Sequence, residues 1–475
     1  LSKTTRVPFW LIRFRNFLVL LLSNRLAAVG MFLLLMFVVM AAAAPLLTPY
    51  RPTGNAVSAN YDPPTWITLI NGPVGYSQNA QFSALSVNMS SSGLATIPTK
   101  TGNSVALDFA GSSPGGTVQI TETLSYPYQG SPKQIIGDAM ILIPGSGALN
   151  KSFNVTAYVN RIGVSRFLFW SPTTINKTGT YNPSPAINSG NPAFNSQLGI
   201  GQQFSAANYV FAAEKANYQY VLTISVPAGF SGRINVSSFD LNLFGNTWGI
   251  FGTDDAGHDI FTQVVYGARL SLEVGLVATG IGIGLGLLIG LMAGYLGKIV
   301  DEVLMRTTDM LLVIPFLPLL IVLVATIGPS LIYIILLIGF FSWMGFARVI
   351  RSQVLSLRER PFIEAAKASG AGTGYITVRH IFPNIVSLTY VNLALTVPAS
   401  IVTEAALSFL GLGDPTVITW GSMLGAANSV GATVSNLAWW WILPPGLSIA
   451  LISLAFILLG YAMDELFNPR LRRRR

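Results

Sequence analysis

The sequence predicts an α-helical membrane protein of six transmembrane helices, with a β-rich, sandwich-like domain inserted outside the membrane after the first helix. Three observations predict it. The 475 residues are 51% apolar and only 10% charged, against roughly 25% charged in ordinary soluble domains. Six apolar runs, at 26–47, 270–295, 310–327, 331–347, 385–410 and 439–461, approach or exceed the roughly 20 residues a helix needs to cross a bilayer. Between the first two runs, residues 67–247 become rich in Ser, Thr, Asn, Gly and Pro and repeatedly alternate apolar with polar residues. The net charge of +9 raises nucleic acid as a partner. The basic residues stand beside apolar runs, however, which points to membrane lipid and topology and to no nucleic acid. The absence of cysteine excludes disulfides and thiolate metal sites.

Lys3, Arg6, Arg13, Arg15 and Arg25 precede the first run. A signal peptide is the competing reading, with Ala41–Ala44 as a small-residue cleavage site, but its apolar core would exceed the usual ~7–15 residues. The run therefore reads as a retained span with a cytoplasmic N-terminus. In the insert, Phe153, Val155, Ala157 and Val159 share one strand face. Tyr218, Tyr220, Leu222, Ile224 and Val226 share another, as do Val118, Ile120, Leu124 and Tyr126. Short strands broken by Gly, Pro and Asn turns give a sandwich or barrel. Five N-x-S/T sequons fall here, at Asn88, Asn150, Asn154, Asn176 and Asn235. They read either as surface glycosylation sites or as chance in a stretch this rich in Asn, Ser and Thr.

Residues 251–270 read as an interfacial amphipathic helix, with Thr253 or Asp254 as cap and Ile260, Phe261, Val264 and Val265 on one side. Asp254, Asp255, Asp259 and His258 could be imagined as a metal site. Acids favoured at a helix N-terminus are the simpler reading, and no metal is expected. The second run carries Gly282, Gly286, Gly290 and Gly294, a bare stripe for close helix packing within one subunit or between subunits. Pro315 and Pro318 kink the third run. In the fifth, Asn392, Thr396, Ser400 and Thr403 recur at helical spacing with Glu404 beside them. They either line a solute path or hydrogen-bond between helices.

The longest basic interruption precedes the fifth run and carries Arg348, Arg351, Arg358, Arg360, Lys367 and Arg379. Pro361 suits the first turn of a helix, and 362–369 reads as a short helix ending at Gly370. Gly370, Gly372 and Gly374 allow a tight turn. A second helical stretch, 375–382, stops at Pro383. Taken alone, this is a loop joining two membrane helices. The short outer loops, Gly328-Pro329 and 411–438, contain no Lys or Arg, and the inner segments hold most of those outside the insert, so both termini are expected inside and the insert outside. The domain boundaries are then 1–66, 67–247 and 248–475, with the basic loop at 348–384.

No catalytic residues stand out. There is no G-x-x-x-x-G-K-[ST] phosphate loop, and His258 and His380 fall on opposite sides of the predicted membrane. Energy for any active transport must come from a partner.

The loop resembles the signature of permease subunits of ATP-binding-cassette (ABC) importers, through Glu364, Ala365, Ala366, Gly370 and Pro383. Residues 251–270, FGTDDAGHDIFTQVVYGARL, resemble the dipeptide/oligopeptide/nickel branch, with His258 where that branch usually has Arg. EAALSFLGLG at 404–413 followed by Trp420-Gly421 resembles the same branch. The resemblance covers about 24–52 and 251–475 and leaves out the insert. It implies the second (C-type) permease subunit, with the type I permease fold of ABC importers. By the same resemblance the loop is a coupling helix that docks on an ATPase subunit. The implied partners are a homologous permease, two ABC ATPase subunits holding ATP and Mg, and an extracytoplasmic solute-binding protein. The chain itself would be no enzyme and hold no cofactor. The function expected is half of the translocation path of an importer for di- and oligopeptides. Import of oligosaccharides by the same architecture is one alternative. A membrane-anchored surface receptor or adhesin is another.

Overall fold

The computed structural model describes residues 23–467 apart from 92, 96–97, 102–103, 202–204, 212–214 and 433–437. Lys3, Arg6, Arg13, Arg15 and the arginines at 470 and 472–475, on which part of the topology expectation rests, lie outside the described residues. The chain separates into two compact units. One joins Leu1–Asn55 to Ile260–Arg475, and the other is Ala56–Asp259. The β-rich unit therefore begins earlier and ends later than the 67–247 drawn from composition. The reason is local: Thr253 donates its hydroxyl to the Ala59 carbonyl at 2.6 Å and accepts from the Asp62 N–H at 2.8 Å, which ties both flanks of the insert together.

In the helical unit, α1 is Arg25–Ala42. Asn24 caps it by accepting from the Leu26 N–H and donates its amide to Glu465 at 2.8 Å. α2 is Ile260–Leu296, α3 Lys298–Val313, α4 Phe316–Ile327, α5 Leu331–Phe341 and α6 Trp343–Arg358. α7 is Pro361–Ala368, α8 Phe382–Leu407, α9 Trp420–Ser429 and α10 Trp439–Phe467. Among the described residues five stretches are long and apolar enough to cross a membrane, or six if α3 and α4, bent by 83°, form one broken span. The bend lies at Ile314-Pro315. Proline drives the preceding residue out of the helical region, and Ile314 is extended (φ −73°, ψ 125°). Pro318 falls in the first turn of α4, where its missing N–H costs nothing.

Two expectations are corrected by this arrangement. No separate interfacial helix precedes the second span. α2 starts at Ile260 and runs unbroken to Leu296, with Ile260, Val264 and Val265 buried in protein. The apolar side read as lipid-facing is a packing side, and Thr262 and Gln263 on its flank are buried too. Nor does the chain stop being helical at Pro383. A short helix at Thr373–Ile376 passes into a π-helical turn, Thr377–Ile381, and then into α8, which has Pro383 in its first turn. Pro383 cannot donate to the preceding turn, and the wider π turn absorbs the mismatch. Asn384 donates its amide to the His380 carbonyl at 2.6 Å.

Among its described residues the β-rich unit has nine strands: β1 Ala80–Gln81, β2 Ser83–Met89, β3 Thr99–Thr101, β4 Ser104–Phe109 and β5 Gly116–Tyr126, then β6 Gln134–Arg161, β7 Ser165–Tyr181, β8 Ala216–Val226 and β9 Gly232–Phe244. Their order is β2-β5-β8-β6-β9-β4-β3, with β1 on β9 and β7 on β6. The 28-residue β6 joins two halves: Gln134–Leu142 pairs with β9 and Asn154–Arg161 with β8. Inward residues of both halves form one core. Phe153, Val155, Ala157 and Val159 are buried in it, as are Tyr218, Tyr220, Leu222 and Ile224. Tyr220 of β8 stacks on Phe239 of β9, ring centroids 4.3 Å apart.

Candidate functional site

α7 is a short helix held by one side chain. Ile363 is its single buried residue and packs with Ile350, Val354, Ile376, Ile381 and Ile385. Full burial of one isoleucine contributes on the order of 1.5–3 kcal/mol. Pro361, Phe362, Glu364, Ala365, Lys367 and Ala368 of the helix are exposed. Its start follows from Arg360, extended at the cap, and Pro361 in the first turn. Its end is a closed Schellman turn. The Gly370 N–H reaches the Lys367 carbonyl at 2.9 Å, and the Ala371 N–H reaches the Ala366 carbonyl at 3.1 Å. Gly370 sits at φ +81°, a conformation that costs other residues about 1–2 kcal/mol. Glu364, Ala365 and Gly370 thus share one exposed, rigidly closed turn. Ala366 is half-buried toward Ile363's cluster, and Pro383 belongs to the base of α8.

This turn hangs from a tightly packed helix pair. All four glycines of the stripe face α5 and α6 within the chain. A Cβ on Gly286 would lie 2.8 Å from the Trp343 carbonyl oxygen, on Gly290 2.6 Å from that of Ala347, and on Gly294 2.7 Å from the Val354 Cβ. On Gly282 it would overlap the Ser342 hydroxyl. Arg351 forms a two-pronged ion pair with Asp301, and Arg348 pairs with Asp309. Both pairs fix α3 to α6. Arg358 donates to the Gly294 carbonyl at 3.3 Å. Basic residues read as topology markers therefore also tie helices together just ahead of α7.

The polar residues of the fifth span divide between two sides of α8. Asn392, Thr396 and Thr403 are partly exposed and bond back to their own helix, to the carbonyls of Leu388, Asn392 and Ala399. Ser400 and Glu404 point into protein. Ser400 meets Thr279 of α2 at 3.1 Å. Glu404, 1% exposed, accepts from Ser408 at 2.7 Å and from Thr419 at 2.8 Å through one carboxylate oxygen. Its other oxygen has no partner among the described residues. Thr419 is also the N-cap of α9, in a reciprocal capping box with Ser422. Gly421 and Gly425 let α9 lie directly on this turn, since a Cβ would come within 2.5 Å of Ala405 Cα or 2.3 Å of the Ser408 carbonyl oxygen. Trp420 anchors the other side to α2: Ser271 receives its backbone N–H and the Val264 carbonyl its ring N–H. Thr419, Ser271 and Gly425 went unremarked in the sequence; the four-residue spacing of Gly421 and Gly425 was the available signal.

The acids of 254–259 shape a turn ahead of α2 rather than its first helical turn. Asp254 accepts the Ala256 and His258 N–H groups and meets the His258 ring at 2.9 Å. Trp248 donates its ring N–H to Asp259. Of the sequon asparagines, Asn88, Asn150, Asn154 and Asn176 are exposed and Asn235 is half-buried. Asn150 uses its amide to bridge Gly229 and Ser231.

Residues 286–473 match the family described as the binding-protein-dependent transport system inner membrane component, and residues 13–64 match the N-terminal TM domain of oligopeptide transport permease C. Over 223 residues, 47% of this chain, the sequence is 41% identical to the dipeptide transport system permease protein DppC of Alkalihalophilus pseudofirmus and covers 72% of that protein. The chain belongs to this permease family. DppC of Bacillus subtilis is 39% identical over 47% of this chain and 69% of its own length. The oligopeptide transport system permease protein OppC of Escherichia coli is 38% identical over 46% and 72%. The two family matches stop at 64 and resume at 286, so most of the β-rich unit lies between them. A family 11 carbohydrate-binding module from Clostridium thermocellum, solved with a mixed-linked tetrasaccharide, covers 38% of this chain and 91% of its own at 12% identity and a TM-score of 0.16. That likeness is too slight to bear on the role of the insert.

Proposed function

We propose that this chain is the second permease subunit of an ATP-driven importer of di- and oligopeptides and forms half of the translocation path. The observation that carries the reading is α7: an exposed short helix, started by Pro361 and closed at its C-terminus by Gly370, fixed to the spans through Ile363, in the loop whose residues carry the family signature. A helix anchored in this way transmits a push from outside the chain to α6 and α8, which hold its base. The names of the relatives, dipeptide and oligopeptide permeases, support peptides as cargo.

In this reading α3 and α4 make one broken span, giving six, with both termini cytoplasmic and the insert extracytoplasmic. α7 docks on one of two ATPase subunits, which hold ATP and Mg and do the hydrolysis. A homologous permease completes the path, and an extracytoplasmic solute-binding protein delivers the peptide. Asn392, Thr396 and Thr403, on the partly exposed side of α8, are the side chains we assign to the path. Ser400 and Glu404 instead hold α8 to α2 and α9. The test is reconstitution of this chain with its partner permease and ATPases in liposomes. Peptide uptake should require ATP and the binding protein. Purification of a stable chain that binds no ATPase subunit would contradict the proposal.

A further inference from the structure

Within the β-rich unit a cavity of about 230 Å³ opens between the segment before β1, the β5–β6 turn and the segment after β9. Its lining includes Tyr76, Gln78, Tyr128, Gln129, Lys215 and Thr247. The walls are built to stay in place. Asn246 accepts from the Ser77 N–H at 2.7 Å and donates to the Gly75 carbonyl at 2.7 Å. Thr247 donates its hydroxyl to the Ser77 carbonyl at 2.9 Å. The Gly75 N–H reaches the Gln129 carbonyl at 3.0 Å. Gly130 and Gly245 let these segments touch, because a Cβ would lie 2.4 Å from the Gly75 carbonyl carbon or 2.5 Å from that of Gln78.

The chemistry of the lining is one-sided. Among the described residues Lys215, an exposed side chain, is the one charged member of the lining, and among the described residues it has no ion pair or hydrogen bond. The side-chain amides of Gln78 and Gln129 have no hydrogen-bond partner among the described residues either. Tyr128, edge-on to Tyr126 at 5.4 Å, has its hydroxyl pushed up by burial and so stays a donor at neutral pH. A cation and several neutral donors, with no carboxylate among the described lining residues, suit an anion, and the two tyrosine rings suit an apolar body beside it. The volume falls below the ~300–1,000 Å³ common for drug-sized ligands, so the cavity takes one end of a chain.

We infer that this cavity is a binding site for the C-terminal residue of a short peptide, with Lys215 taking its carboxylate and Tyr76 and Tyr128 flanking its side chain. The choice of a peptide rests on the proposed function, but the site lies wholly within the β-rich unit, so its failure would leave the transport reading intact. The experiment is saturation-transfer NMR on the full chain in lipid nanodiscs, with N-acetyl-Ala-Ala as the free acid, the same peptide as its amide, and inorganic phosphate. The free acid should bind and the amide should not. Lys215→Gln should weaken binding at least tenfold, and Lys177→Gln, an exposed lysine on β7, should leave it unchanged. Equal binding of acid and amide, or an unchanged Lys215→Gln protein, would overturn the site. Phosphate binding as well as the peptide would overturn the peptide assignment in favour of a bare anion site.

Discussion

Glu122 gives the β-rich unit a pH-dependent stability with a definite sign. It stands on the core face of β5, opposite Tyr220 of β8, and is 2% exposed. One of its oxygens has no hydrogen-bond partner among the described residues. Burial, reinforced by the charge of Asp240, pushes its carboxyl up from 4.5 to about 7. The folded unit therefore holds this proton to higher pH than the unfolded chain does. Below about pH 4 both forms are protonated and the residue is neutral in its effect. As pH rises toward 7 stability is lost, and above it the loss levels at about 3 kcal/mol, because each tenfold difference in proton affinity between the folded and unfolded chain is worth about 1.4 kcal/mol. Glu122→Gln keeps the shape and removes the ionisation. It should raise the melting temperature at pH 8 by up to about 10 °C for a domain of this size and leave it unchanged at pH 4. Asp62, buried and raised to about 6 with Lys133 and Ser58 opposing the rise, retains its own smaller slope in the variant. Circular dichroism melts of the β-rich unit at the two pH values decide it. An equal change at both would show that the effect is not one of ionisation, and destabilisation at pH 8 would show that folding favours the carboxylate; either result would refute the argument.

Two further substitutions test the helical unit. Gly290→Ala places a methyl group 2.6 Å from the Ala347 carbonyl oxygen and should destabilise the purified permease by about 1–3 kcal/mol. Gly284→Ala, on the open side of the same helix, should be neutral, and equal melting shifts for the two would contradict the packing described. Gly370→Val meets open space but takes a β-branched residue to φ +81°. It should leave membrane insertion intact while lowering the peptide taken up per ATP hydrolysed, a ratio read directly in proteoliposomes, and an unchanged ratio would remove Gly370 from the coupling argument.

Much of this fold could be read from residue types because the determining forces are local. The alternating runs in β5, β6 and β8 have one buried face, so their period of two survives in the sequence. Pro361 and Gly370 bracket α7 because one removes a donor and the other accepts positive φ. The continuation of α2 back to Ile260 was hidden because a packing face and a lipid-facing face are both apolar. The shared strand β6 was hidden because pairing partners far along the chain decide where a strand changes neighbours. The division of the α8 polar residues was partly visible. At 100° per residue, Asn392, Thr396 and Thr403 fall on one side, and Ser400 and Glu404 drift to its flank. That Thr419 and Thr279 wait there is a tertiary fact.

The central claim is that α7 docks on an ATPase subunit, and the chain is well suited to a direct test because it contains no cysteine. Single cysteines at Ala365, on the exposed turn, and at Lys177, in the β-rich unit, can each carry a short thiol-reactive cross-linker in the assembled transporter. Ala365→Cys should cross-link to an ATPase subunit, with a yield that changes when ATP is bound, and Lys177→Cys should not. Cross-linking to the ATPase from Lys177→Cys, or none from Ala365→Cys in a complex that retains its ATPase subunits, would contradict the account.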